Sequence, residues 1–552
     1  MKVRLPRKLA KPHKSPQHQF PLQFNGEMRT VKIAEPPCHR ENRQKVIRMS
    51  ILKTVSKTHL AIASLMLVLG SASAQASTID QAINDSVQPI TDALASFIFY
   101  SVTVGGAEVP LIVCWLILGA LFFTLYFKFI NLRGFRHAID IVSGRYADPD
   151  HPGEVSHFQA LTTAVSGTVG IGNIAGVAIV VSLGGPGAIF WLIVAGLLGM
   201  ATKFVECTLG VKYRQQNPDG SVSGGPMYYL QRGFEARGMP KIGKGLGMFF
   251  AASIVVGCLG IGNMFQSNQA FAQIVEVTGG ATSILSDKGW LIGTILAVSV
   301  SIIIIGGIKS IGKVTEKLVP FMVLLYVTGA LVVIGINYQA VPGAFYAIFT
   351  QAFSSDGMTG GIVGIMILGF QRAAFSNEAG LGSAAIAHSA VQTNEPLTEG
   401  YVALLEPFID TVVICTITGL VLITSFPTET LTGSGMSGIE MTSAAFESRI
   451  SWSPIPLSIA ATLFAFSTMI AWAYYGIKGW TYLFGEGRRK EHVFSLIFCI
   501  FIVIGSSVQL SAILDLADAL IFVMALPNLV GLFIMAPEVK KDLEVYWMAH
   551  KG

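Results

Sequence analysis

The stretch ALTTAVSGTVGIGNIAGVAIVVSLGG, residues 160–185, decides how this chain folds. It is apolar and long enough to cross a membrane as a helix, which needs about 20 residues. Its centre, however, is rich in glycine, which weakens a helix interior, and also carries Ser166, Thr168 and Asn173. Backbone groups freed in lipid are tolerated only where they line a cavity or bind something. The stretch therefore predicts a membrane helix that is interrupted midway. The glycines concerned are Gly167, Gly170, Gly172 and Gly176.

Close packing of helices through small residues is the alternative explanation for these glycines. It does not explain why an asparagine, a serine and a threonine accompany them in the same short segment. We therefore expect the interruption to be functional.

The same combination returns in GIMILGFQRAAFSNEAGLGSAAIAHSA, residues 364–390. Arg372 and Glu378 lie in an otherwise apolar stretch, and ionisable residues at this depth are rare and usually functional. Ser376 and Asn377 lie between them, and two glycines follow, the first of which is Gly380. The stretch predicts a second interrupted helix. A simple ion pair between Arg372 and Glu378 is the structural alternative.

A third segment, GCLGIGNMFQSNQA at residues 257–270, repeats the GIGN element and adds Asn263, Gln266 and Asn268. On a helix Asn263 and Gln266 share a face, whereas Asn268 points towards the opposite side from Asn263. At least one of the three is expected to line a pathway through the protein.

Two later apolar stretches also carry polar side chains. FAFSTMIAWAYYG contains Ser467, and its Thr468 and Trp472 share a helix face. Glu406 and Asp410 share a face of an earlier stretch, where Glu406 is expected to be interfacial. Packing alone is the alternative explanation for the threonine and tryptophan.

The composition is that of a membrane protein. Of the 552 residues, 52% are hydrophobic and 13% are charged, whereas soluble domains carry about 25% charged residues. This excludes a soluble globule, a disordered chain and a nucleic-acid-binding protein. The basic excess belongs to residues 1–48, which hold twelve Lys and Arg against three Asp and Glu. Five of the six cysteines fall in apolar stretches without metal-ligand spacing, so they are interpreted as small apolar fillers.

The N-terminal region predicts a polar tail followed by a secretory signal peptide. Lys53 and Lys57 precede the apolar run LAIASLMLVLG, and the small residues SASAQAS follow, which is the order of a signal peptide and its cleavage site. An uncleaved anchor is one alternative. Translation from Met49 is another, because a signal peptide normally begins the chain. The predicted segments are a basic disordered tail (1–48), the signal peptide (49–76), a periplasmic segment (77–109), the transporter domain (110–540) and a cytoplasmic tail (541–552).

Hydropathy and charged loops divide the remainder into about eleven transmembrane helices, which predicts an all-α polytopic membrane protein. Clusters of Lys and Arg follow alternate spans, and the positive-inside rule places these loops in the cytoplasm. The mature N-terminus is then periplasmic and the C-terminus cytoplasmic. The predicted spans are 111–130, 160–183, 187–211, 247–277, 289–308, 318–337, 361–388, 402–425, 455–478, 493–509 and 512–536.

The two interrupted spans are the second and the seventh. They are five spans apart, and an odd offset inverts the second unit relative to the first, as in secondary transporters built from inverted repeats. Half-helix N-termini present N–H groups to an anionic substrate group. Unwound carbonyls and hydroxyls suit a small dehydrated cation.

At these motifs the chain resembles the alanine-or-glycine:cation symporter family. The resembling stretches are FQALTTAVSGTVGIGNIAGVA, GGPMYYL, GIGNMFQSNQ, FSNEAGLGSAAIAH and EPFIDTVVICTITG. They occur in order along residues 110–540. The resemblance implies uptake of small amino acids, mainly alanine, with sodium or sometimes protons. It also implies a leucine-transporter-like fold of five helices plus five inverted ones, with two discontinuous helices and one peripheral helix.

The wider fold implies roles for individual residues. The amides of Ile171 and Gly172 would meet the substrate carboxylate. The resemblance implies a substrate site of Thr168, Gly170, Ile171, Gly172, Asn268, Phe375, Ser376, Gly380, Thr468 and Trp472. One sodium would be held by Ser166, Val169, Ser467 and Thr468. A second cation would be held by Thr168 and Asn173, helped by Ser376 or Asn377.

The expected function is thus sodium-coupled import of alanine or glycine across the bacterial inner membrane. Lipid is the protein's surroundings, and sodium is a co-substrate rather than a bound cofactor. A carrier that uses protons or takes another solute is the main alternative. A channel would require a continuous polar stripe or rings of charged residues along its pore. An intramembrane enzyme would rely on His388, which lies at a predicted cytoplasmic helix end, so we do not expect one.

Overall fold

The computed structural model describes residues 92–549 apart from 105–106, 147–150, 219, 355–360, 437 and 509, together with residues 22–24, 27–29 and 89. The chain forms two units, Met1–Leu69 and Gly70–Gly552. In the first, strands β1 (Leu22–Phe24) and β2 (Glu27–Arg29) pair antiparallel, with Leu22 opposite Arg29. The predicted signal peptide and most of the predicted tail lie outside the described residues.

The second unit is built from helices, with two short antiparallel sheets. The strands are β3 (Ser101–Val104) with β4 (Ala107–Pro110), and β5 (Gln215–Gln216) with β6 (Val222–Ser223). The helices are α1 (Leu111–Tyr126), α2 (Ile130–Arg133), α3 (Phe135–Val142), α4 (His157–Thr168), α5 (Ala175–Gly184), α6 (Gly187–Lys212), α7 (Pro226–Glu235), α8 (Pro240–Leu259), α9 (Phe265–Val277), α10 (Gly289–Ile304), α11 (Gly307–Ile336), α12 (Val341–Gln351), α13 (Gly361–Asn377), α14 (Ala384–His388), α15 (Pro396–Ala403), α16 (Leu405–Pro407), α17 (Thr416–Ser425), α18 (Thr428–Gly433), α19 (Gly438–Glu447), α20 (Pro454–Phe484), α21 (Arg488–Gly505), α22 (Leu510–Phe522) and α23 (Ala525–Ala549).

Some segments between these helices are wound differently. The π-helical turns Gly260–Met264 and Phe408–Cys415 join α8 to α9 and α16 to α17. Such turns are rare and frequently occur at functional sites. Short 3₁₀ turns lie at Ile171–Asn173, Gly280–Thr282 and Tyr338–Ala340.

Several helices are long and apolar enough to cross a membrane. In the described residues six pass by length and composition, or seven if the bent pair α4 and α5 counts as one span. The six are Gly187–Lys212, Pro240–Val277, Gly307–Ile336, Pro396–Ser425, Pro454–Phe484 and Leu516–Ala549. The helical multi-span architecture is therefore confirmed, but the count of eleven is not. Other predicted spans coincide with shorter helices such as α1 and α10.

The second predicted span is broken at its glycines. Helix α4 begins with a capping box, in which Ser156 Oγ accepts from the Gln159 amide and Gln159 Oε1 accepts from the Ser156 amide, each at 3.2 Å. The helix ends at Thr168, and Gly170 is extended, with φ −131° and ψ −160°. The chain then bends by 59° into the second half-helix. The interruption that the sequence predicted is therefore present.

The second break follows α13. Glu378 adopts a left-handed conformation with φ +59°, and Gly380 and Gly382 follow at φ +91° and +82°. Left-handed backbone is unfavourable for most residues but natural for glycine. The helix therefore stops at Asn377 and resumes as the short α14.

Two long helices hold these broken elements in place. Helix α6 packs against α1, α13, α14 and α15, and α20 packs against α4, α8, α9 and α11. Small residues permit the close approaches. Each broken span is thus clamped by an unbroken one.

The contact of α13 with α6 gives a test of this packing. A methyl group added at Gly369 would lie 2.6 Å from Cβ of Trp191 and 2.9 Å from the carbonyl oxygen of Ala188. We expect Gly369→Ala to destabilise the protein by about 1–3 kcal/mol through overpacking, seen as a lower melting temperature in detergent. On α11, a methyl group at Gly335 meets no described atom within 4 Å. Gly335→Ala should therefore melt at or above the parent temperature, because alanine favours a helix by about 1 kcal/mol. Equal melting of both variants would contradict the packing described.

Candidate functional site

The carbonyl groups freed at the first break face α20. Thr468 Oγ1 donates to the carbonyl oxygen of Ser166 at 3.0 Å, and Trp472 Nε1 donates to that of Gly167 at 3.2 Å. In return, Ser166 Oγ donates to the carbonyl oxygen of Ser467 at 2.6 Å. All of these side chains are buried. The structure therefore gathers hydroxyl and carbonyl oxygens from α4 and α20 in one place.

The amides of the same break are also engaged. The Gly170 amide donates to Asn173 Oδ1 at 2.9 Å, and the Ile171 amide donates to Gln266 Oε1 at 3.2 Å. Gln266 comes from α9, just after the π-helical turn. A carboxylate that binds the Ile171 amide would have to displace the Gln266 side chain.

The surroundings of the two central glycines differ. A methyl group at Gly170 would lie 2.5 Å from Thr468 Oγ1, so this glycine is needed for close approach. A methyl group at Gly172 would meet only the Phe375 ring, at 3.7 and 3.8 Å. Phe375 packs edge-on against Phe265 on α9, with ring centroids 5.6 Å apart. Gly172 thus borders a space with an aromatic wall.

Beyond the bend, Asn173 joins the first break to the second. Its Nδ2 donates to Ser376 Oγ at 3.1 Å and to Asp410 Oδ1 at 2.5 Å. Ser376 Oγ donates to the other oxygen of Asp410 at 2.8 Å. Thr411 Oγ1 also donates to Asp410 Oδ2, at 2.6 Å, and accepts from Asn377 Nδ2 at 2.9 Å. All five side chains are buried, and they form a compact oxygen-rich cluster, which we call the Asp410 cluster.

The other site residues named from the sequence lie in different surroundings. Thr168 Oγ1 donates within its own helix, to the carbonyl groups of Ala164 and Val165. Asn268 Nδ2 donates to the carbonyl oxygens of Gly505 at 3.2 Å and Val508 at 2.6 Å. Asn268 thus joins α9 to the end of α21 rather than to either break.

Gly380 and Val169 complete the predicted set. A methyl group at Gly380 would lie 2.6 Å from Leu116 on α1, and the Gly380 carbonyl accepts from Asn528 at 2.8 Å. Gly380 therefore packs at the periphery. Val169 is fully buried at the end of α4, and its amide donates to the carbonyl group of Val165 at 2.7 Å.

The suggested ion pair between Arg372 and Glu378 is wrong. Arg372 instead pairs with Asp518, through Nη2 to Oδ2 at 3.0 Å and Nη1 to Oδ1 at 3.2 Å. Glu378 instead accepts a hydrogen bond from the Ser383 hydroxyl group. Glu378 lies past the end of α13, at the left-handed backbone that ends the helix, whereas Arg372 lies within the helix.

Three residues that contact the site were not chosen from the sequence: Gln266, Asp410 and Thr411. Gln266 was weighed with Asn263 and Asn268, but periodicity does not say which face meets the break. The sequence distinguishes Asp410 by its spacing from Glu406 and as a candidate residue if the carrier uses protons, but not as a ligand of either proposed site. The signal that identifies Asp410 and Thr411 is the π-helical turn around them, which no sequence pattern predicted.

Two interrupted helices that meet around a buried, oxygen-rich cluster define a secondary transporter of the membrane. The chain matches the model of the sodium:alanine symporter family over residues 64–552, and it belongs to that family.

Two curated relatives and one solved structure are similar to this chain over most of its length. The sodium/alanine symporter AgcS of Methanococcus maripaludis is 38% identical over 437 residues, which are 78% of this chain and 93% of that protein. A probable sodium/glutamine symporter of Bacillus subtilis, GlnT, is 32% identical over 80% of this chain and 89% of its own length. Among solved structures, MhsT in complex with L-phenylalanine matches with a TM-score of 0.52 and 16% identity, over 70% of this chain and 89% of that one. This last likeness shows a leucine-transporter-like fold. The repeat of five helices plus five inverted ones stays a prediction.

The two glycines of the break differ in a way that can be measured. We expect Gly170→Ala to lower the melting temperature in detergent, because its methyl group overlaps Thr468 Oγ1 and also comes within 3.1 Å of Gln266 Oε1. Gly172→Ala is the matched control, because its methyl group makes only ordinary contact with Phe375. A Gly172→Ala protein that melts as low as Gly170→Ala would show that both positions are tightly packed.

Proposed function

We propose that the protein is a sodium-coupled symporter that imports alanine, with glycine as the smaller alternative, by alternating access. The observation that carries this proposal is the pairing of Ser166 with both Ser467 and Thr468 at the first break. Neutral carbonyl and hydroxyl oxygens are the ligands that hard cations prefer. Membership of the sodium:alanine symporter family supports the same cation and substrate.

The first cation would lie between α4 and α20. Its ligands would be the carbonyl groups of Ser166 and Val169 and the oxygens of Ser467 and Thr468. In the structure the Ser166 carbonyl oxygen accepts from Thr468 Oγ1 and the Ser467 carbonyl oxygen accepts from Ser166 Oγ, so sodium would replace hydrogen bonds that already exist. Both helices would then be held together by an ion instead of by hydroxyl groups.

The second cation would lie in the Asp410 cluster. The ligands would come from both broken helices, through Asn173, Ser376 and Asn377, and from the π-helical turn, through Asp410 and Thr411. Thr168, which the resemblance also assigns to this site, bonds within its own helix. A carboxylate among neutral donors favours a cation, because a buried charge is stable only when it is paired.

The substrate would bind against the unwound backbone of the first break. The amides of Gly170, Ile171 and Gly172 are at the start of the second half-helix, where the helix dipole favours a carboxylate. Phe375 and Trp472 would bound the small side chain. Tight apolar walls of this kind suit alanine, whereas one relative is named as a probable symporter of the larger amino acid glutamine.

The orientation follows from the charged loops. Basic residues before α4 and after α6 and α20 would face the cytoplasm. We place the mature N-terminus in the periplasm, the C-terminus in the cytoplasm and the protein in the bacterial inner membrane. The last helix continues to Ala549, past residue 540, where the transporter domain was predicted to end.

Uptake of labelled alanine into vesicles, with and without a sodium gradient, tests the function. We expect uptake to require sodium, and Thr468→Ala to raise the sodium concentration needed for half-maximal uptake, because a ligand hydroxyl is lost. Thr468→Ser is the matched control and should stay near the parent. Sodium-independent uptake driven by a pH gradient would contradict the assignment.

The same assay tests the substrate site at Gly172. Gly172→Val places a branched side chain where the ligand must approach backbone, so we expect near-normal folding, no alanine uptake and no stabilisation by alanine in a melting assay. The amide bond to a carboxylate is worth about 1.5–3 kcal/mol. Gly176→Val is the control, because a methyl group there meets no described atom within 4 Å. A Gly172→Val protein that folds and binds alanine with parental affinity would refute the site.

A proton-coupled carrier is the second candidate, and one observation favours it. Asp410 is fully buried, and its hydrogen-bond partners Asn173, Ser376 and Thr411 are all neutral. A carboxyl group in such a place can carry a proton instead of a metal cation. Uptake that is driven by a pH gradient and is abolished in Asp410→Asn would identify the proton, rather than sodium, as the coupling ion.

A further inference from the structure

A chain of buried ionisable side chains runs through the protein, separate from the residues of both proposed cation sites. His157 Nδ1 contacts Glu399 Oε1, and the other oxygen of Glu399 contacts His388 Nδ1. The opposite nitrogen of His388, Nε2, contacts Glu406 Oε1. Glu406 Oε2 accepts from Lys203 Nζ at 3.1 Å. These five residues, which we call the histidine–glutamate chain, are at most 3% exposed.

The chain joins one half of each broken helix to α6, α15 and α16. His157 is the first residue of α4, and His388 is the last residue of α14. These are the halves of the two broken helices that the basic loops place on the cytoplasmic side. Glu399 and Glu406 lie on α15 and α16, and Lys203 lies on the long helix α6. Any outward swing of either half-helix would have to break the chain.

The hydrogen-bond count requires an extra proton at His388. Both of its ring nitrogens face carboxylate oxygens, which only accept when ionised. A neutral imidazole has one N–H and leaves a lone pair against the second carboxylate. An imidazolium donates from both nitrogens and satisfies Glu399 and Glu406 together. Carboxylic acids are ordinarily stronger acids than imidazolium, so the histidine is the residue that holds the proton.

The charge balance leads to the same result. With His388 protonated, its charge and that of Lys203 offset the charges of Glu399 and Glu406. Without that proton, one carboxylate remains unbalanced in a fully buried place, which is unfavourable. Other titratable groups face the chain from neighbouring elements. They are Glu206 and Cys207 on α6, Arg214 after it, Glu378 at the second break, Asp410 on the π-helical turn and Tyr475 on α20.

From this geometry we infer that the histidine–glutamate chain is a proton-binding site, occupied by one proton on His388. The protonated chain locks the two half-helices to α6 and α15 in the arrangement that the structure shows. Proton binding is reversible here, because no bond other than N–H forms or breaks. Transport requires the lock to close again after each opening. Loss of the proton at alkaline pH therefore slows the cycle.

Nuclear magnetic resonance of the protein labelled with ¹⁵N-histidine, in lipid vesicles at pH 8, tests the proton directly. An ordinary histidine, with a pKa of about 6.5, is neutral there. We expect imidazolium signals that disappear in His388→Gln. The inference is overturned if the parent spectrum has no imidazolium signals. It is also overturned if His388→Gln removes only signals of neutral imidazole rings. Where His388→Gln does not fold, Glu399→Gln replaces it, and the same loss is expected.

Sodium-driven uptake with equal pH on both sides of the vesicle tests the role in transport. We expect uptake to fall about tenfold per pH unit above a midpoint, as for one required proton. Glu399→Gln removes a charge that favours the imidazolium, so the midpoint should move about 1–3 pH units lower. Glu399→Asp should restore most of that shift.

Glu538→Gln is the matched control. Glu538 forms ion pairs with Lys212 and Arg237, outside the chain, and the midpoint should stay at the parent value. A flat pH profile, or Glu399→Gln with an unchanged midpoint, overturns the role in transport. This assay rests on the proposed function, but the two fail differently. Absence of uptake at every pH counts against the proposed function, whereas the magnetic resonance measurement does not depend on uptake.

Discussion

Backbone hydrogen bonding inside lipid is the constraint on which the rest of this structure depends. A helix that stops in a membrane leaves donors and acceptors that water cannot reach. At the first break, Asn173 and Gln266 accept from the freed amides, and Thr468 and Trp472 donate to the freed carbonyl groups. Asn173 belongs to the break itself, whereas Gln266 comes from α9 and both Thr468 and Trp472 come from α20. The break therefore dictates which helices must surround it.

This constraint also connects structure to function. The groups that satisfy the break are the ones that a cation or a carboxylate would replace. Ligand binding then exchanges one set of hydrogen bonds for another, rather than filling an empty hole. Such an exchange keeps the free-energy difference between the empty and loaded forms small, as a transporter that must release its ligands requires.

Local signals were enough to predict the breaks but not their partners. Glycines and polar residues at membrane depth indicated both interruptions, and the structure has them at Gly170 and after Asn377. Helical periodicity predicts only that Asn268 points away from Asn263. The structure adds that the Asn268 side chain bonds to the carbonyl groups of Gly505 and Val508. Similarly, Glu406 was expected at the interface and is fully buried beside Lys203. Such pairs join residues about 200 positions apart, and no periodicity within one helix encodes them.

The distribution of charge separates two kinds of polar site in one membrane protein. The first break is lined by neutral groups, which can accept a cation or an amino acid without leaving a charge unbalanced. The histidine–glutamate chain is made of full charges that balance one another, and removing any one of them leaves its neighbour buried and unpaired. The Asp410 cluster lies between these limits, since it holds one carboxylate among neutral donors. Electrostatic attraction at low dielectric is strong, and the Asp410 carboxylate therefore favours an arriving cation. The neighbouring histidine–glutamate chain is balanced and has no net charge that would compete for this cation.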